Sequence, residues 1–439
     1  MEAFLQPLQG LAEFGEIKKR CGANCGILNV SGCMESQKVH LMYGLSGLFP
    51  YHLILADDER NAKEIYEDYR FYDKNVYFYP AKDLLFYQAD IHGKQLVKQR
   101  METLQMMMEA KSQVTVITTI DGFMDELPSE AEIKGDILTI SNGEALEFES
   151  LKEKIIKLGY DREAQVDGPG QFAVRGGIID IYPLTEELPI RIEFWGDEVD
   201  SLRSFDTETQ RSVEKLEKVQ IYPATEMILS RHKIGDAVRR MKEEYKKQEE
   251  IFKKQKRLTE KERLRKMTIR TEEELLSFGT AEGSEALLSY FYEKTVSLLE
   301  YLPENTLFFL DEPHRILEKG KTYEEEFFLC MQSRLEGGYV LPGQADLLFG
   351  YEEILSKVMA KPLILLSSVI QDYAFYKPKT ICDIEVKSIF SYNNSFDQLI
   401  KDLEHWKKEN YRILLLSSST TRAKRLAEDL RDYDLSSFY

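Results

Sequence analysis

The sequence predicts an α/β protein in which two pieces of the chain build one parallel sheet, with a small α+β domain inserted between them. Strands and helices alternate from about residue 25 to 130, which is typical of a parallel sheet covered by helices. From about 131 to 222 the pattern changes to one helix and several alternating strands. Apolar strands followed by helices return after residue 300, and a small α/β domain is predicted at the end of the chain.

Residues 1–130 are predicted to form the first part of the parallel sheet. The run YHLILADD at 51–58 is short and apolar, as a buried strand is, and 59–72 has the period of an amphipathic helix. The same alternation then continues with a strand over 75–81, a long helix from about Gln95 to Ala110, and a strand over 113–119.

Residues 131–222 are predicted to form the inserted α+β domain. LKEKIIKLGY at 151–160 is helical in pattern, and DGPG at 167–170 predicts a tight turn. Three segments then alternate like the strands of a meander: QFAVRGGIIDIYP, IRIEFWGDEVDSLRSFD and VEKLEKVQIYP.

Residues 223–360 are predicted to form the second part of the sheet domain. Within them, 236–275 is dense in charge and contains neither Gly nor Pro. This predicts one long solvated helix of about 50 Å, at 1.5 Å per residue. Basic residues dominate there, which makes a nucleic-acid contact conceivable, but the interleaved Glu residues count against it. The apolar strand NTLFFLDEPHRIL follows at 305–317.

Residues 361–439 are predicted to form a linker and a small α/β domain. KPLILLSSV at 361–369 is a further apolar strand. The order after it is strand, helix, strand, helix: DIEVKSI, SFDQLIKDLEHWKKEN, YRILLLSSS and TTRAKRLAEDLRDY. A unit that stops soon after a helix is expected to be truncated.

Composition narrows the class of protein. The 439 residues carry a formal net charge of −18, so any DNA contact needs a local basic patch, and a protein partner is favoured. We find no signal peptide and no membrane-length apolar run, and therefore expect a cytoplasmic protein. Five cysteines, an odd number, suggest a reducing compartment. Their spacing does not favour a metal site, and none is expected.

The stretch NVSGCMESQKVH at 29–40 has the spacing of a phosphate-binding loop placed between a strand and a helix. Gly32 and Lys38 stand where that loop has its first glycine and its lysine. In a working loop, the second glycine allows backbone amides to surround the phosphates, and here Gln37 stands in its place. Val39 replaces the hydroxyl that would bind Mg²⁺. The loop is therefore expected to have lost its chemistry.

The strand at 305–317 ends in Asp311-Glu312-Pro313-His314, the pattern of a helicase-type lobe. In a working ATPase the aspartate helps to hold Mg²⁺ and the glutamate polarises the attacking water. A motor of this kind also needs arginines from a second lobe, and the chain contains no Gly-Arg dipeptide. Asp311 and Glu312 are therefore expected to belong to a vestigial nucleotide site.

The inserted domain carries a second candidate surface. In PIRIEFW, the period of two places Ile190, Ile192 and Phe194 on one face of a strand, with Arg191 and Trp195 on the other. Trp and Arg are the residues most enriched in binding hot spots, although Trp195 could instead pack under a loop. Arg175 is expected to join them from a neighbouring strand. Gly176 and Gly177 would let another chain or strand approach closely there.

The segment from DGPGQFAVRGGIIDIYP to KVQIYPA resembles the second domain of the bacterial transcription-repair coupling factors. YPAKDLLFYQADIHGKQLVKQRMETLQMM and LDEPHRIL resemble the same family, and the resemblance covers essentially the whole chain. The N-terminal module of that family is in turn similar to the excinuclease protein UvrB. The resemblance implies a RecA-like domain in two sequence pieces with a small domain inserted between them.

The resemblance also implies a function. Family members displace stalled RNA polymerase and recruit the excinuclease protein UvrA through the inserted domain. The family positions that contact UvrA correspond to Arg175, Arg191 and Trp195, the last of which is often Phe. The family's C-terminal domains cover this surface until polymerase is engaged.

Two departures limit what this chain is expected to do. FYQADIHG runs directly into a helix, leaving no room for the DNA-clamping hairpin of UvrB. The polymerase-binding and motor domains, with their ATP and Mg²⁺, would lie beyond Tyr439. We therefore expect a non-catalytic module that binds UvrA, without cofactor, catalytic residue or metal. RNA polymerase and DNA would be contacted only beyond residue 439, and no membrane is involved. The alternatives are an active ATPase or helicase module resembling UvrB, and a scaffold unconnected with repair.

Overall fold

The computed structural model describes residues 2–438, except positions 25, 83–90, 110–112, 282, 370–372, 386–388, 390–391, 393–394, 416 and 418. The chain divides into two compact units, Met1–Glu385 and Val386–Tyr439, each considered by itself. The segment FYQADIHG, where no room for a hairpin is expected, lies mostly outside the described residues, so that expectation stays a prediction.

The helices number fifteen in the described part of the chain. They are α1 Glu2–Gln9, α2 Ala12–Asn24, α3 Glu35–Leu45, α4 Glu59–Tyr72, α5 Ile91–Glu109, α6 Ile120–Met124, α7 Glu130–Gly135, α8 Phe148–Lys157, α9 Arg231–Lys254, α10 Leu258–Phe278, α11 Leu288–Phe291, α12 Pro313–Glu336, α13 Tyr351–Met359, α14 Phe396–Lys408 and α15 Thr420–Arg431.

Fifteen strands are likewise described. They are β1 Ile27–Ser31, β2 Tyr51–Ala56, β3 Val76–Tyr79, β4 Val114–Thr119, β5 Leu138–Ser141, β6 Asp161–Glu163, β7 Gln171–Arg175, β8 Ile178–Tyr182, β9 Ile190–Trp195, β10 Glu198–Phe205, β11 Ser212–Leu216, β12 Lys218–Ile221, β13 Thr306–Asp311, β14 Leu363–Ser367 and β15 Thr380–Asp383.

The main sheet has seven parallel strands in the order β15-β1-β14-β13-β2-β4-β3. Every residue of β2, β4, β13 and β14 is buried, as expected for parallel strands covered by helices on both faces. Strands from both ends of unit Met1–Glu385 interleave in this sheet, which confirms the predicted α/β fold with an insertion. The sheet includes β14 and β15, which follow the limit predicted at residue 360.

The inserted domain contains a six-stranded sheet in the order β11-β10-β9-β8-β7-β6, together with the antiparallel pair β5–β12. Its strands pair antiparallel except for β6 and β7. One face is packed by α8, whose Leu151 and Ile155 are fully buried with Ile179 and Ile192 of the sheet. On the opposite face, Ala173 and Phe205 are buried in a small cluster with Val166.

The charged stretch 236–275 is not the single long helix that its composition predicts. It forms two helices, α9 and α10, joined by Gln255–Arg257, and Lys256 in that connection adopts a positive φ of 56°. The ion pairs Lys242–Glu272 and Lys261–Glu249 show that the two helices run antiparallel. The prediction was wrong because a few apolar residues, such as Phe252 of α9 and Leu264 of α10, are buried in one shared hydrophobic cluster, which folds the two helices against each other.

The second unit, Val386–Tyr439, contains α14 and α15, which pack through Ile400, Leu403, Leu430 and Leu435. The strand predicted over YRILLLSSS is absent from the residues described there, because 411–415 have irregular backbone and no strand pairs with them. Three residues of DIEVKSI, at 386–388, lie outside the described residues; its first residue, Asp383, ends β15 of the main sheet, and Ile384 and Glu385 after it are not in a strand.

Candidate functional site

A cleft opens where parallel strands of the main sheet end at one edge. Its volume is about 420 Å³. Asp57 and Asp58 follow β2, Asp311 ends β13, and Ser368 follows β14, so the topology brings to this edge residues far apart in sequence. Lys38 reaches it from the first turns of α3. Of the residues expected in the nucleotide site, Lys38, Val39, Asp311 and Glu312 line this cleft, whereas Gly32 and Gln37 are not among its described lining residues.

The loop that precedes α3 is short and closed. Gly32 has a positive φ of 85°, and a Cβ there would lie 2.2 Å from the carbonyl oxygen of Ile384, so only glycine fits. Helix α3 already begins at Glu35. The side chain of Gln37 accepts a hydrogen bond from the Met34 backbone amide at 3.2 Å. Only two residues thus separate Gly32 from the helix, too few for a wide phosphate cradle.

Lys38 is held in a buried ion-pair cluster, which we call the Lys38 cluster, with Asp311 and Glu312. Its Nζ lies 2.6 Å from Asp311 Oδ1 and 2.6 Å from Glu312 Oε1, and all three side chains are at most 10% exposed. Burial alone would lower the pKa of Lys38, but Asp311 and Glu312 raise it above the ordinary value. Burial alone would raise the pKa of Glu312, but hydrogen bonds from Lys38 and Ser368 lower it. The lysine is thus charged and fully paired.

The rest of the cleft is acidic. Asp311 Oδ2 also accepts a hydrogen bond from the Asn61 side chain at 2.8 Å, and Val39 contributes only an apolar surface. The charged lining residues are seven carboxylates and three cations: Glu35, Asp57, Asp58, Glu64, Asp68, Asp311, Glu312, Lys38, Arg60 and Arg315. The carboxylates outnumber the cations, so the cleft repels the phosphates of a nucleotide.

The outer face of the inserted sheet presents the tryptophan that alternation predicts. Ile190 and Ile192 of β9 are buried, whereas Trp195 is 83% exposed. Trp195 therefore does not pack under a loop. Arg191 lies on the same face, four residues before Trp195 on the same strand.

Arg175 is not on the strand next to Arg191, as the sequence suggested, because FAVRGGIIDIYP folds into two strands. β8 lies between β7 and β9, and Gly176 and Gly177 form the turn of the β7–β8 hairpin, with a φ of 60° at Gly176. Gly177 does allow a close approach, since its carbonyl accepts a hydrogen bond from the Phe194 amide at 2.9 Å.

The two arginines are nevertheless brought together by Asp180 of the intervening β8. Arg191 makes two hydrogen bonds to its carboxylate, at 2.7 and 2.9 Å, and Arg175 makes one at 3.0 Å. Asp180 is buried, with a side chain only 1% exposed, whereas Arg175 is 47% and Arg191 15% exposed. We call these three residues the Asp180 cluster.

Two further residues support Arg191. Its guanidinium lies 4.2 Å from the ring centroid of buried Phe205, and Gln210 accepts a hydrogen bond from it at 3.0 Å. The hydrogen bond with Asp180 raises the pKa of Arg191. Sequence reasoning missed Asp180, although a lone carboxylate in the apolar run GGIIDIYP indicates a buried acid that needs a cationic partner.

The sequence predicts neither a metal site nor a membrane span. In the described ranges, no group of three or more His, Cys, Asp and Glu side chains could hold a metal ion. Cys33 is buried, which raises its pKa to about 11. In the part of the chain that the structure describes, every helix is too short or too polar to span a membrane.

Comparison with known proteins identifies the region that carries the Asp180 cluster. Residues 138–227 match the family model described as the UvrB interaction domain. The chain is 30% identical over 421 residues to the transcription-repair-coupling factor of Bacillus subtilis, covering 92% of this chain and 35% of that protein. It is 28% identical over 396 residues to UvrABC system protein B of Thermosipho africanus, covering 86% of this chain and 59% of that protein.

This chain covers only part of the length of these relatives, and therefore their activities and partners cannot be assigned to it directly. The transcription-repair-coupling factor of Staphylococcus epidermidis is 26% identical over 383 residues, 87% of this chain and 32% of that protein. The chain thus spans about a third of the length of the coupling factors it matches. The resemblance inferred from the sequence is confirmed: over most of its length the chain is similar to the transcription-repair-coupling factors, and residues 138–227 match the UvrB interaction domain family.

Proposed function

We propose that this chain is a protein-binding part of a transcription-repair coupling factor and recruits the excinuclease protein UvrA through the outer face of its inserted sheet. Arg175, Arg191 and Trp195 are the proposed contacts. In this way the chain would link removal of stalled RNA polymerase to nucleotide excision repair. Contacts with RNA polymerase itself are assigned to parts of the longer relatives that this chain does not include.

One observation carries the proposal: the matched interaction domain exposes a tryptophan on the same sheet face as two arginines that are already oriented. Trp195 is 83% exposed on a sheet face, although a soluble protein gains by burying so large an apolar side chain. Asp180 fixes the guanidinium groups of Arg175 and Arg191, so little side-chain entropy is lost when a partner binds. An exposed aromatic with preorganised arginines is the composition of a binding hot spot.

We also propose that the cleft beside Lys38 is not catalytic, and that the chain binds UvrA without ATP or Mg²⁺. Three features support it: the Lys38 cluster, in which the lysine is paired with Asp311 and Glu312; the closed loop after Gly32; and Val39 in place of a hydroxyl. The rival proposal, an active ATPase resembling UvrABC system protein B, is favoured by the position of Lys38 beside Asp311 at the sheet edge. Nucleotide binding separates the two proposals.

The partner surface is tested by titrating purified UvrA against single variants of this chain. Trp195→Ala and Arg175→Ala should each weaken binding by about 2 kcal/mol, or about 30-fold, because hot-spot truncations cost at least that much. Glu193→Ala should cost less. Matched controls come from exposed residues elsewhere: Phe278→Ala, 79% exposed, for the tryptophan, and Arg60→Ala, 88% exposed, for the arginine.

Thermal melts of the same variants distinguish lost contacts from lost folding. Truncation of exposed Trp195 should change stability by about 0.5 kcal/mol or less. Truncation of Arg175 should cost about 1 kcal/mol, because Asp180 keeps its two hydrogen bonds from Arg191. UvrA binding that equals the parent's in both variants, or that falls equally in the controls, would show that this face is not the interface. Failure of UvrA to bind the parent chain would overturn the proposed function and favour a scaffold unconnected with repair.

A further inference from the structure

The positive charge of the helical hairpin α9–α10 is concentrated at its tip. Residues 246–266, which surround the connection, contain ten Lys and Arg and four Glu. The remainder of the two helices, 231–245 and 267–278, contains six basic and six acidic residues. A chain with a net charge of −18 thus carries a compact basic projection. We call residues 246–266 the hairpin tip.

Several cations of the tip have structural partners and hold the tip in place. Arg257 donates to the carbonyl oxygen of Glu336 at 2.6 Å, and Arg263 donates to that of Gly337 at 2.5 Å. These bonds satisfy carbonyls at the C-terminal end of α12, where positive charge is favourable. The guanidinium of Arg263 also lies 4.2 Å from the ring centroid of Tyr339. The tip is therefore fixed against the neighbouring helix.

Five other cations of the tip have no such role. They are Lys246, Lys247, Lys254, Lys256 and Lys266, all exposed and none within ion-pair distance of a carboxylate among the described residues. They are carried on a rigid base, because Phe252 of α9 and Leu264 of α10 are buried between the helices and the body of the unit. From Lys246 to Lys254 the helix rises by about 12 Å.

We propose that the hairpin tip binds the phosphate backbone of duplex DNA through these lysines, without regard to base sequence. A span of about 12 Å covers three to four phosphates of one strand, which follow one another at about 3.4 Å along the axis. Point charges on flexible stems suit phosphates, whose contacts position a protein but carry no sequence information. The acidic remainder of the chain repels DNA and confines the contact to the tip.

This contact is weak and depends strongly on salt. Five phosphate contacts give a slope of about −4.5 for the logarithm of the binding constant against that of the salt concentration. Affinity should therefore fall about 500-fold between about 50 and 200 mM salt. Such a contact can hold a protein near DNA of any sequence. It does not depend on the function proposed for the inserted sheet.

The test measures binding of a fluorescein-labelled 20-base-pair duplex of arbitrary sequence by anisotropy over a series of salt concentrations. In the tip variant, Lys247, Lys254 and Lys256 are all replaced by Gln. The slope should fall to about −1.8, and affinity at about 50 mM salt should drop at least about tenfold. The matched control replaces Lys18, Lys19 and Lys319, three exposed lysines outside the tip, by Gln, which changes the net charge equally.

The result expected is a loss in the tip variant only, with melting temperatures of both variants equal to the parent's. Equal losses in the tip and control variants would show a general charge effect and overturn the proposal. So would a parent chain that binds no duplex at the lowest salt. A tip that binds a poly-glutamate peptide as tightly as the duplex would assign it to an acidic protein partner instead of DNA.

Discussion

The nucleotide-type cleft and the inserted sheet are both organised by a buried ion-pair cluster, but the charges are combined in opposite proportions. In the Lys38 cluster one cation meets two carboxylates, and its members are at most 10% exposed. In the Asp180 cluster one carboxylate meets two arginines, and one of these is 47% exposed. The first cluster has no cation left for a ligand. The second retains an oriented guanidinium that can bind a partner.

This difference shows how the same interaction can close one site and prepare another. Where buried carboxylates outnumber the cations, as around Lys38, they pair with the lysine and keep it from binding a ligand. When arginines are in excess, the carboxylate instead fixes their geometry, since the planar guanidinium binds it in a defined orientation. The exposed Trp195 adds a large aromatic surface, and no aromatic side chain is among the described residues that line the cleft.

The largest effect is expected for Lys38→Met, which keeps the volume of the side chain but removes its charge. It leaves Asp311 and Glu312 buried without their cation, and breaking a buried pair in this way costs about 3–5 kcal/mol. Chemical denaturation should show this loss. The matched control is Lys63→Met, whose ion pair with Glu59 is more than half exposed, and which should cost no more than about 1 kcal/mol.

A second substitution identifies the cause of that loss. Adding Asp311→Asn and Glu312→Gln to Lys38→Met should restore part of the stability, because neutral amides need no cation. If Lys38→Met is no less stable than Lys63→Met, the cluster does not stabilise the fold, and Lys38 remains available for another ligand.

A smaller effect is expected for Arg191→Ala in the Asp180 cluster. Asp180 would keep Arg175 as a partner, so stability should fall by about 2 kcal/mol, less than for Lys38→Met. Arg191 is only 15% exposed, although the period of two places it on the outer face of the strand. Arg191→Lys should retain the charge but lose the paired hydrogen bonds and the stacking on Phe205, giving an intermediate value. A stability loss in Arg191→Ala as large as in Lys38→Met would contradict the difference between the two clusters.

Elements with strong local patterns could be predicted from the sequence. β2, α4 and β4 lie within a residue or two of their predicted limits. Polar residues mark several of these limits; Asp58, for example, caps α4 by accepting a hydrogen bond from the Asn61 amide at 2.8 Å. No residue typical of a helix end indicates the break between α9 and α10. The residue with positive φ there is Lys256, whereas Gly or Asn is usual at such a position. The strand expected over 411–419 depended on pairing with other segments, which local sequence does not reveal.

The residues of the nucleotide-type cleft could be predicted, because the topology of the sheet alone brings them together. Strand ends of a parallel sheet meet at one edge, so Lys38 and Asp311 could be paired across 273 positions of sequence. The Asp180 cluster depends on which strand lies between two others. The Gly176-Gly177 pair between two apolar runs is a hairpin signal, which the sequence interpretation missed when it treated FAVRGGIIDIYP as one strand. The period of two along β9 placed Trp195 on the outer face, but it left open whether the side chain packs under a loop; the structure shows that it is exposed.

The smallest effect is expected when ATP and Mg²⁺ are added to the chain. Calorimetry should detect no binding tighter than about 1 mM, equivalent to about −4 kcal/mol. The loop after Gly32 offers too few backbone amides, Lys38 is paired, and carboxylates predominate in the cleft.

Two causes of that weak binding, the pairing of Lys38 and the shape of the loop, can be separated by Asp311→Asn with Glu312→Gln. These changes release the lysine and remove two negative charges from the cleft, but helix α3 still begins at Glu35 and leaves the loop closed. If loop shape dominates, the double variant will bind ATP no more tightly than the parent. Micromolar binding by the double variant would show that ion pairing alone had closed the cleft. Micromolar binding by the parent, lost in Lys38→Met while that variant remains folded, would instead establish a functioning nucleotide site and remove the contrast between the two clusters.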